Sequence, residues 1–144
     1  MNWYFKVLKQ YADFTGRARR MEYWMFQLFN TIITFGLLFA SGFFSFIDVF
    51  EEGGEPNFDS FGGVFTFLTI YGLATFIPSL AVAARRLHDT GKSGWWICIY
   101  FVPCIGWLWL LILLCFESDH GPNQWGQNPK NIGNDRGIND IGRE

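Results

Sequence analysis

Three long stretches of the chain contain no charged residue: residues 23–47, 60–84 and 93–116. Each run has about 24 or 25 residues, and a helix that crosses a bilayer needs about 20. These continuous runs differ from the alternating segments of about ten residues that build a membrane β-barrel. Because backbone polar groups in lipid must bond within their own segment, the pattern predicts an all-α membrane protein with three transmembrane helices.

A shorter segment before the first run shows a different periodicity. Apolar residues at positions 3, 4, 7, 8, 11 and 14 repeat at helical spacing, and lysine, glutamine and aspartate occupy the other face. Residues 1–15 are therefore predicted to form an amphipathic interfacial helix that lies on the inner leaflet of the membrane. In the alternative arrangement, the same apolar face packs on the other helices.

The third run leaves two arrangements open because it contains Pro103 and Gly106. A straight span with a proline kink is favoured, since each arm of a hairpin would have only about ten residues, too few for a full crossing. The alternative is a re-entrant hairpin that returns the following residues to the cytoplasm. Three cysteines also lie in this run, and on one straight helix their spacing would exclude a disulfide.

The runs leave little sequence for a separate soluble domain. Residues 1–130 are predicted to form a single membrane domain. Residues 131–144 are rich in Asn, Asp and Gly, and they are predicted to form a disordered C-terminal tail. No cleavable signal peptide is expected, because the first twenty or so residues lack a short apolar core and a small-residue cleavage site.

Charge is distributed unevenly around the three runs. Basic residues precede the first run and follow the second, whereas the first loop, residues 48–59, carries acidic side chains and no Lys or Arg. By the positive-inside rule, the N-terminus and the second loop are predicted to be cytoplasmic. After three crossings, the C-terminus is then predicted to lie outside.

The basic residues at the predicted cytoplasmic face are the candidate functional residues. Clustered Lys and Arg next to a span attract anionic lipid, and arginine binds phosphate in a bidentate manner. The candidates for lipid or partner binding are Arg17, Arg19, Arg20, Arg85, Arg86, His88, Asp89, Lys92 and Trp125. In the alternative interpretation, the basic residues only set the topology, while His88 and Asp89 cap a helix end and hold Arg85 or Arg86.

The sequence shows no catalytic, metal-binding or ion-conducting set of residues. His88-Asp89 is similar to the pair used by metal-dependent phosphohydrolases, but that site needs further His and Asp ligands, and His120 is predicted on the other side of the membrane. The three runs also lack the ionisable side chains that ion-coupled transporters place inside their spans. The expectation is therefore a protein that is not an enzyme and that has no metal and no cofactor.

Several sequence blocks occur together in this chain. They are residues 3–9, 14–20 with 22–24, 78–81 with 85–91, Gly94-Trp95-Trp96, Pro103 with Gly106, and 121–129. Over about residues 1–130 this set resembles the YhaH-like family of small bacterial inner-membrane proteins, which is a domain family of unknown function. The resemblance implies a multi-pass inner-membrane protein and brings no established activity. The acidic first loop and residues 131–144 depart from the shorter members.

The sequence thus predicts a non-enzymatic inner-membrane protein that binds anionic lipid or a protein partner through a cytoplasmic arginine-rich face. The alternative is a small carrier or pore for an uncharged solute or lipid, which would have to be oligomeric because three helices cannot enclose a path. The expected partners are membrane lipid, further copies of the chain or another membrane protein. Nucleic acid is not expected.

Overall fold

The computed structural model of the protein describes residues 2–52 and 58–134. The regular elements in these ranges are all helical: α1 (Asn2–Lys9), α2 (Arg20–Glu52), α3 (Phe58–Asp89), a 3-10 helix (Gly94–Phe101) and α4 (Gly106–Cys115). The predicted all-α class is confirmed for the described residues. Residues 53–57 of the acidic loop and residues 135–144 of the predicted tail lie outside them.

The helices α2 and α3 contain the first two predicted spans and are long enough to cross a membrane. An 18-residue stretch within Arg20–Phe44 has a mean hydropathy of 1.5, and one within Gly62–Asp89 has a mean hydropathy of 1.8. Many of their large apolar side chains are exposed, and Phe39 is 76% exposed. Extensive apolar exposure of this kind indicates surroundings other than water.

The described residues form two compact units, one of residues 2–26 with 78–134 and the other within residues 27–77. In the second unit, several polar side chains bond to each other or to their own helix. The Tyr71 hydroxyl donates to Asn30 Oδ1, and the Ser41 hydroxyl donates to the carbonyl oxygen of Leu38 at 2.9 Å. These bonds satisfy polar groups inside apolar helices.

In the first unit, α1 packs on the beginning of α2 and the end of α3. The buried cluster there consists of Val7, Ala18, Phe26 and Val82. The ring of Tyr4 stacks on Phe26 with the ring centres 5.3 Å apart. The chain leaves the helix after Lys9, so α1 is shorter than the predicted helix over residues 1–15. The interfacial position of this segment stays a prediction.

The end of α3 is a Schellman motif at Gly91, which has a φ of 71°. The amide of Gly91 donates to His88 O at 3.1 Å, and the amide of Lys92 donates to Leu87 O at 3.0 Å. A Cβ at position 91 would also overlap the Asp119 carboxylate. This stop directs the chain away from α3, and the Ser93 side chain then caps the 3-10 helix.

The third apolar run is not a single helix. It forms the 3-10 helix and α4, which are separated by residues 102–105 and pack against each other. Cys104 in this break has a φ of 68°, and a Cβ at position 106 would overlap the carbonyl oxygen of Ile99. The single straight helix predicted over residues 93–116 is therefore wrong, and the run folds as a helical hairpin, while the re-entrant position of that hairpin in a membrane stays a prediction.

The hairpin brings its two ends together beside the end of α3. The Nζ atom of Lys92 lies 5.9 Å from the ring centre of Phe116, and the amide of Asp119 donates to the carbonyl oxygen of Asp89 at 2.9 Å. The residues that follow α4 therefore lie with the basic residues at the end of α3. The prediction that they lie outside depended on a third crossing by a straight span, and the side of the membrane on which they lie stays a prediction.

The chain after α4 forms hydrogen-bonded turns. Asn123 and Gly126 exchange two backbone hydrogen bonds of 3.0 Å, and the amide of Gly121 donates to Ile132 O at 2.9 Å. The last bond includes the beginning of the predicted disordered tail, since residues 132–134 form a turn. We call the segment of residues 117–134 the C-terminal strap.

Replacing Gly106 by alanine is expected to destabilise the hairpin, because the new Cβ overlaps the backbone of Ile99. The expected loss is about 1–3 kcal/mol, the usual cost of overpacking. Thermal unfolding of the detergent-purified protein, followed by tryptophan fluorescence, measures it. The matched control is Gly36→Ala in α2, where a Cβ would meet no described atom within 4 Å. Equal melting temperatures for the two variants would contradict the close approach of the hairpin arms.

Candidate functional site

A buried ion cluster lies at the end of α3, with Asp89 at its centre. One carboxylate oxygen of Asp89 accepts a hydrogen bond of 2.9 Å from Arg17 Nε. The other accepts hydrogen bonds from Arg86 and from the Ser118 hydroxyl. The side chains of Arg17, Arg86 and Asp89 are at most 1% exposed. Burial of a carboxylate is tolerable here because each of its oxygens is paired.

Arg17 uses its guanidinium group to hold the C-terminal strap. Its Nη2 donates to Asp119 O at 2.8 Å and its Nη1 donates to Gly121 O at 2.8 Å, with longer bonds of 3.3 Å to Gly126 O and Asp89 O. Only the planar fork of an arginine offers five donors in fixed directions. Arg17 therefore has little capacity left for an external phosphate.

Arg86 closes the end of α4. Its Nε donates to Leu114 O at 3.1 Å and its Nη2 donates to Phe116 O. The last carbonyl groups of a helix have no partner within the helix, and they carry a partial negative charge. Arg86 thus donates hydrogen bonds to the unpaired carbonyl groups at the end of α4 and to the carboxylate of Asp89 at the same time.

A more exposed set of charges surrounds Glu117. Arg20 Nη2 lies 2.8 Å from one carboxylate oxygen, and Lys130 pairs with the other. The hydrogen bond from Lys130 lowers the pKa of the Glu117 carboxyl. Arg19 also donates to the carbonyl oxygen of Pro129. Exposed pairs of this kind add little stability, so this set positions the strap more than it stabilises the fold.

His88 connects three segments through its ring. Its Nδ1 lies 3.3 Å from Gly16 O, and its Nε2 accepts a hydrogen bond of 3.2 Å from the amide of Gly94. These partners fit the neutral ring with its proton on Nδ1. The ring of Trp125 stacks on His88 with the ring centres 3.6 Å apart. Because both ring nitrogens are engaged, His88 is not placed to bind a metal.

No group of three or more His, Cys, Asp or Glu residues in the described part of the chain could hold a metal ion. The three cysteines are free and exposed.

Arg85 differs from the other arginines at this end of the protein. It is 3% exposed, and its Nη1 donates to the side-chain oxygen of Gln10. Its Nε makes a long bond of 3.4 Å to Ala81 O. Its Nη2 is buried and has no hydrogen-bond partner among the described residues. A buried charged donor without an acceptor is unusual and costs free energy.

Gln10 also lines a cleft beside α1. The cleft has a volume of about 400 Å³ and is lined by Phe5, Lys6, Lys9 and Gln10. Lys6 forms an ion pair with Glu22, and Glu22 accepts a hydrogen bond of 3.1 Å from the amide of Arg19, which caps α2. We call this feature the basic cleft; Arg85 does not line it but donates to Gln10, which does.

The structure divides the sequence-predicted site residues into separate groups. Arg17, Arg86 and Asp89 form the buried cluster, His88 stacks with Trp125, and Arg19, Arg20 and Lys92 contact residues at the end of α4 or in the strap. Of these residues, only Arg85 contacts the lining of the basic cleft, through its bond to Gln10. Sequence reasoning missed Lys6, Lys9 and Gln10, although their spacing places them on one face of a helix.

Comparison with known proteins gives a consistent set of relatives. A family model described as a protein of unknown function, DUF805, matches residues 11–127. The chain is 45% identical over 130 residues to the inner membrane protein YhaH of Escherichia coli K12, covering 90% of this chain and 98% of the relative. It is 46% identical over 132 residues to the inner membrane protein YhaI of the same strain, covering 90% and 97%. No solved structure matches the chain.

Replacing Asp89 by asparagine is expected to destabilise the protein strongly, because two buried guanidinium groups lose their counter-charge. Breaking a buried pair costs about 3–5 kcal/mol. Thermal unfolding in detergent measures the loss. The control is Glu117→Gln, which removes an exposed carboxylate of the C-terminal strap and should change the melting temperature little. If both variants melt alike, the buried cluster does not hold this end of the fold together.

Proposed function

The chain belongs to the DUF805 family of proteins of unknown function, and from this membership we propose that it is a non-enzymatic inner-membrane protein that binds the headgroup of an anionic lipid at its cytoplasmic face. The binding site that we propose is the basic cleft beside α1. This assignment retains the lipid-binding function expected from the sequence and moves it to different residues.

In this proposal, α2 and α3 cross the membrane, and the hairpin enters it from the cytoplasmic side without crossing. The ten residues of α4 are about 15 Å long, which is half of the hydrocarbon thickness of about 30 Å. Phe101 near the hairpin tip is 83% exposed, as a lipid-facing side chain would be. The amides of Val102 and Ile105 bond within the hairpin, which suits a tip in lipid.

The cytoplasmic location of this end follows from its charges. The basic side chains of the N-terminal segment and of the α3 end belong to the same compact unit as the C-terminal strap. The positive-inside rule places such residues in the cytoplasm. Two crossings then put both the N-terminus and the strap on the cytoplasmic side.

The unsatisfied Nη2 of Arg85 is the observation that carries the proposal. Arg85 does not line the basic cleft itself, but its Nη1 donates to Gln10, which does. A phosphate oxygen that reached past Gln10 would supply the missing acceptor, and arginine forms strong charge-assisted hydrogen bonds to phosphate. Lys9 lines the cleft and adds positive charge, whereas the charge of Lys6 in the same lining is balanced by Glu22. Each basic residue near the membrane surface contributes roughly 1 kcal/mol to the attraction of anionic lipid.

The remaining arginines are poorer candidates for headgroup binding. Arg17 and Arg86 already donate to Asp89 and to backbone carbonyls, and they are buried. A bound phosphate would have to replace these bonds. The arginine-rich face is therefore mainly a structural device in this proposal.

An oligomeric carrier or pore is less favoured. Among the polar side chains of the second unit that could line a path, Asn30, Tyr71 and Ser41 bond instead to each other or to their own helix.

Topology is tested by reporter fusions after Phe116 and after Pro129. Both fusions are expected to report a cytoplasmic position, because the hairpin does not cross the membrane and the strap contacts the basic end of α3. A fusion in the first loop, after Glu55, is the control and should report the outside. An outside position for the Pro129 fusion would contradict the proposed topology.

Headgroup binding is tested by titrating phosphatidylglycerol into the detergent-purified protein and measuring Kd by native mass spectrometry. Lys9→Gln is expected to weaken binding roughly fivefold, in line with about 1 kcal/mol per charge. The matched control is Lys130→Gln, which removes one charge from the strap and should leave Kd unchanged. Equal Kd values for the two variants, or equal affinity for phosphatidylethanolamine, would overturn the assignment.

A further inference from the structure

A second cavity lies at the end of α3 and is distinct from the basic cleft. It has a volume of about 470 Å³ and is formed by α3, the beginning of the hairpin, the N-terminal segment and the C-terminal strap. The lining residues that matter here are Phe14, Leu80, Ala84, His88, Cys98 and Trp125. Leu80, Ala84 and His88 are four residues apart and form one stripe along α3.

The stripe connects two different environments. His88 lies next to the buried ion cluster, and Leu80 lies about 12 Å further along α3, at 1.5 Å per residue. Cys98 comes from the apolar run, and the exposed Trp95 stands at the wall of the cavity. Tryptophan at such a position is typical of the membrane interface. The cavity therefore extends from the level of the charged groups toward the apolar part of the helix.

The lining is apolar and has little to offer a charged ligand. Among the residues that line the cavity there is no Lys, Arg, Asp or Glu. Both ring nitrogens of His88 are engaged by Gly16 and Gly94, and the Ser93 hydroxyl oxygen accepts a bond from the amide of Trp95. The indole Nε1 of Trp125 is the one buried side-chain donor of the lining without a partner among the described residues. A ligand with many polar groups would leave most of them unpaired, which costs free energy. The chemistry favours a hydrocarbon ligand.

We propose that this cavity binds one acyl chain of a membrane lipid, with its first methylene groups over the stacked rings of His88 and Trp125. The volume lies within the range of roughly 300–1,000 Å³ that is usual for small-ligand sites. The site opens where lipid chains are available, because its walls continue into the apolar surface of α3 and the hairpin. A bound acyl chain would contact the strap, the hairpin and α3 at the same time.

Cys98 provides a native reporter for this site because it lines the cavity and is exposed. Cys104→Gly and Cys115→Ala leave Cys98 as the only cysteine, and glycine suits the positive φ of position 104. The probe is palmitoyl lysophosphatidylcholine, whose headgroup has no net charge. At about ten times its Kd, maleimide labelling of Cys98 should slow by about tenfold, since only unoccupied protein reacts.

Leu80→Trp fills the cavity and should abolish the effect of the probe on Cys98 labelling. Ile112→Trp is the matched control, because it adds the same ring on α4 to a residue that does not line the cavity. Its labelling should slow as in the parent protein. A protein that keeps Cys115 as its only cysteine should label at the same rate with and without probe. Equal slowing at Cys98 and Cys115 would overturn the proposal, because it would show shielding by bulk amphiphile.

Chain length gives a measurement that needs no cavity variant. Protection of Cys98 should be lost with a hexanoyl chain on the same headgroup, and protection that is independent of chain length would overturn the proposal. Slower labelling on raising the protein concentration without probe would identify a second copy as the occupant and also overturn it. Lys9→Gln should leave the protection unchanged, so that this result is separate from headgroup binding in the basic cleft.

Discussion

The buried carboxylate of Asp89 is the constraint on which the rest of this end of the protein depends. A buried charge is tolerable only when opposite charges and hydrogen-bond donors surround it. Arg17 comes from the N-terminal segment, Arg86 comes from α3, and Ser118 comes from the C-terminal strap. Because each partner brings its own segment, the pairing of one side chain joins the beginning and the end of the described chain to α3. The two arginines then use their remaining donors on backbone carbonyls of the strap and of α4.

Counting the hydrogen bonds of each arginine also distinguishes the arginines that hold the fold from one that could bind an external group. Arginines that are fully bonded hold the fold, and a buried donor without an acceptor marks a position where an external group would improve the structure. By this criterion, Arg85 is the only one of the sequence-predicted arginines that points to a ligand. The cavity beside His88 is complementary to it in chemistry, because its walls are mostly apolar and suit hydrocarbon, with the indole Nε1 of Trp125 as its one unpaired buried donor among the described residues. A single membrane lipid has both a charged headgroup and acyl chains, but the two sites are separate and are lined by different residues.

Local features of the fold were predictable from the sequence. The first two apolar runs lie inside α2 and α3, Gly91 ends α3, and Ser93 caps the helix that follows. The pairing of Asp89 with Arg86 was one of the two interpretations left open, and it is the one found. The third run was misjudged because its length and composition fit a straight span as well as they fit a hairpin. Only Pro103 and Gly106 suggested a reversal, and the decisive feature, the close approach of Gly106 to the backbone of Ile99, involves a contact across the hairpin.

What the sequence determined by itself was the class of protein, an all-helical membrane protein, since the length of an apolar run and its need for internal hydrogen bonds are local properties. It also determined that basic residues precede the first run and follow the second, with none in the loop between them. The tertiary structure decided which cation binds which group and where the chain goes after α3. These depend on contacts such as Arg17 with Asp89, 72 residues apart, and Arg17 with Asp119, 102 residues apart. A list of charges does not say which of them will be buried, because burial is a property of the folded chain.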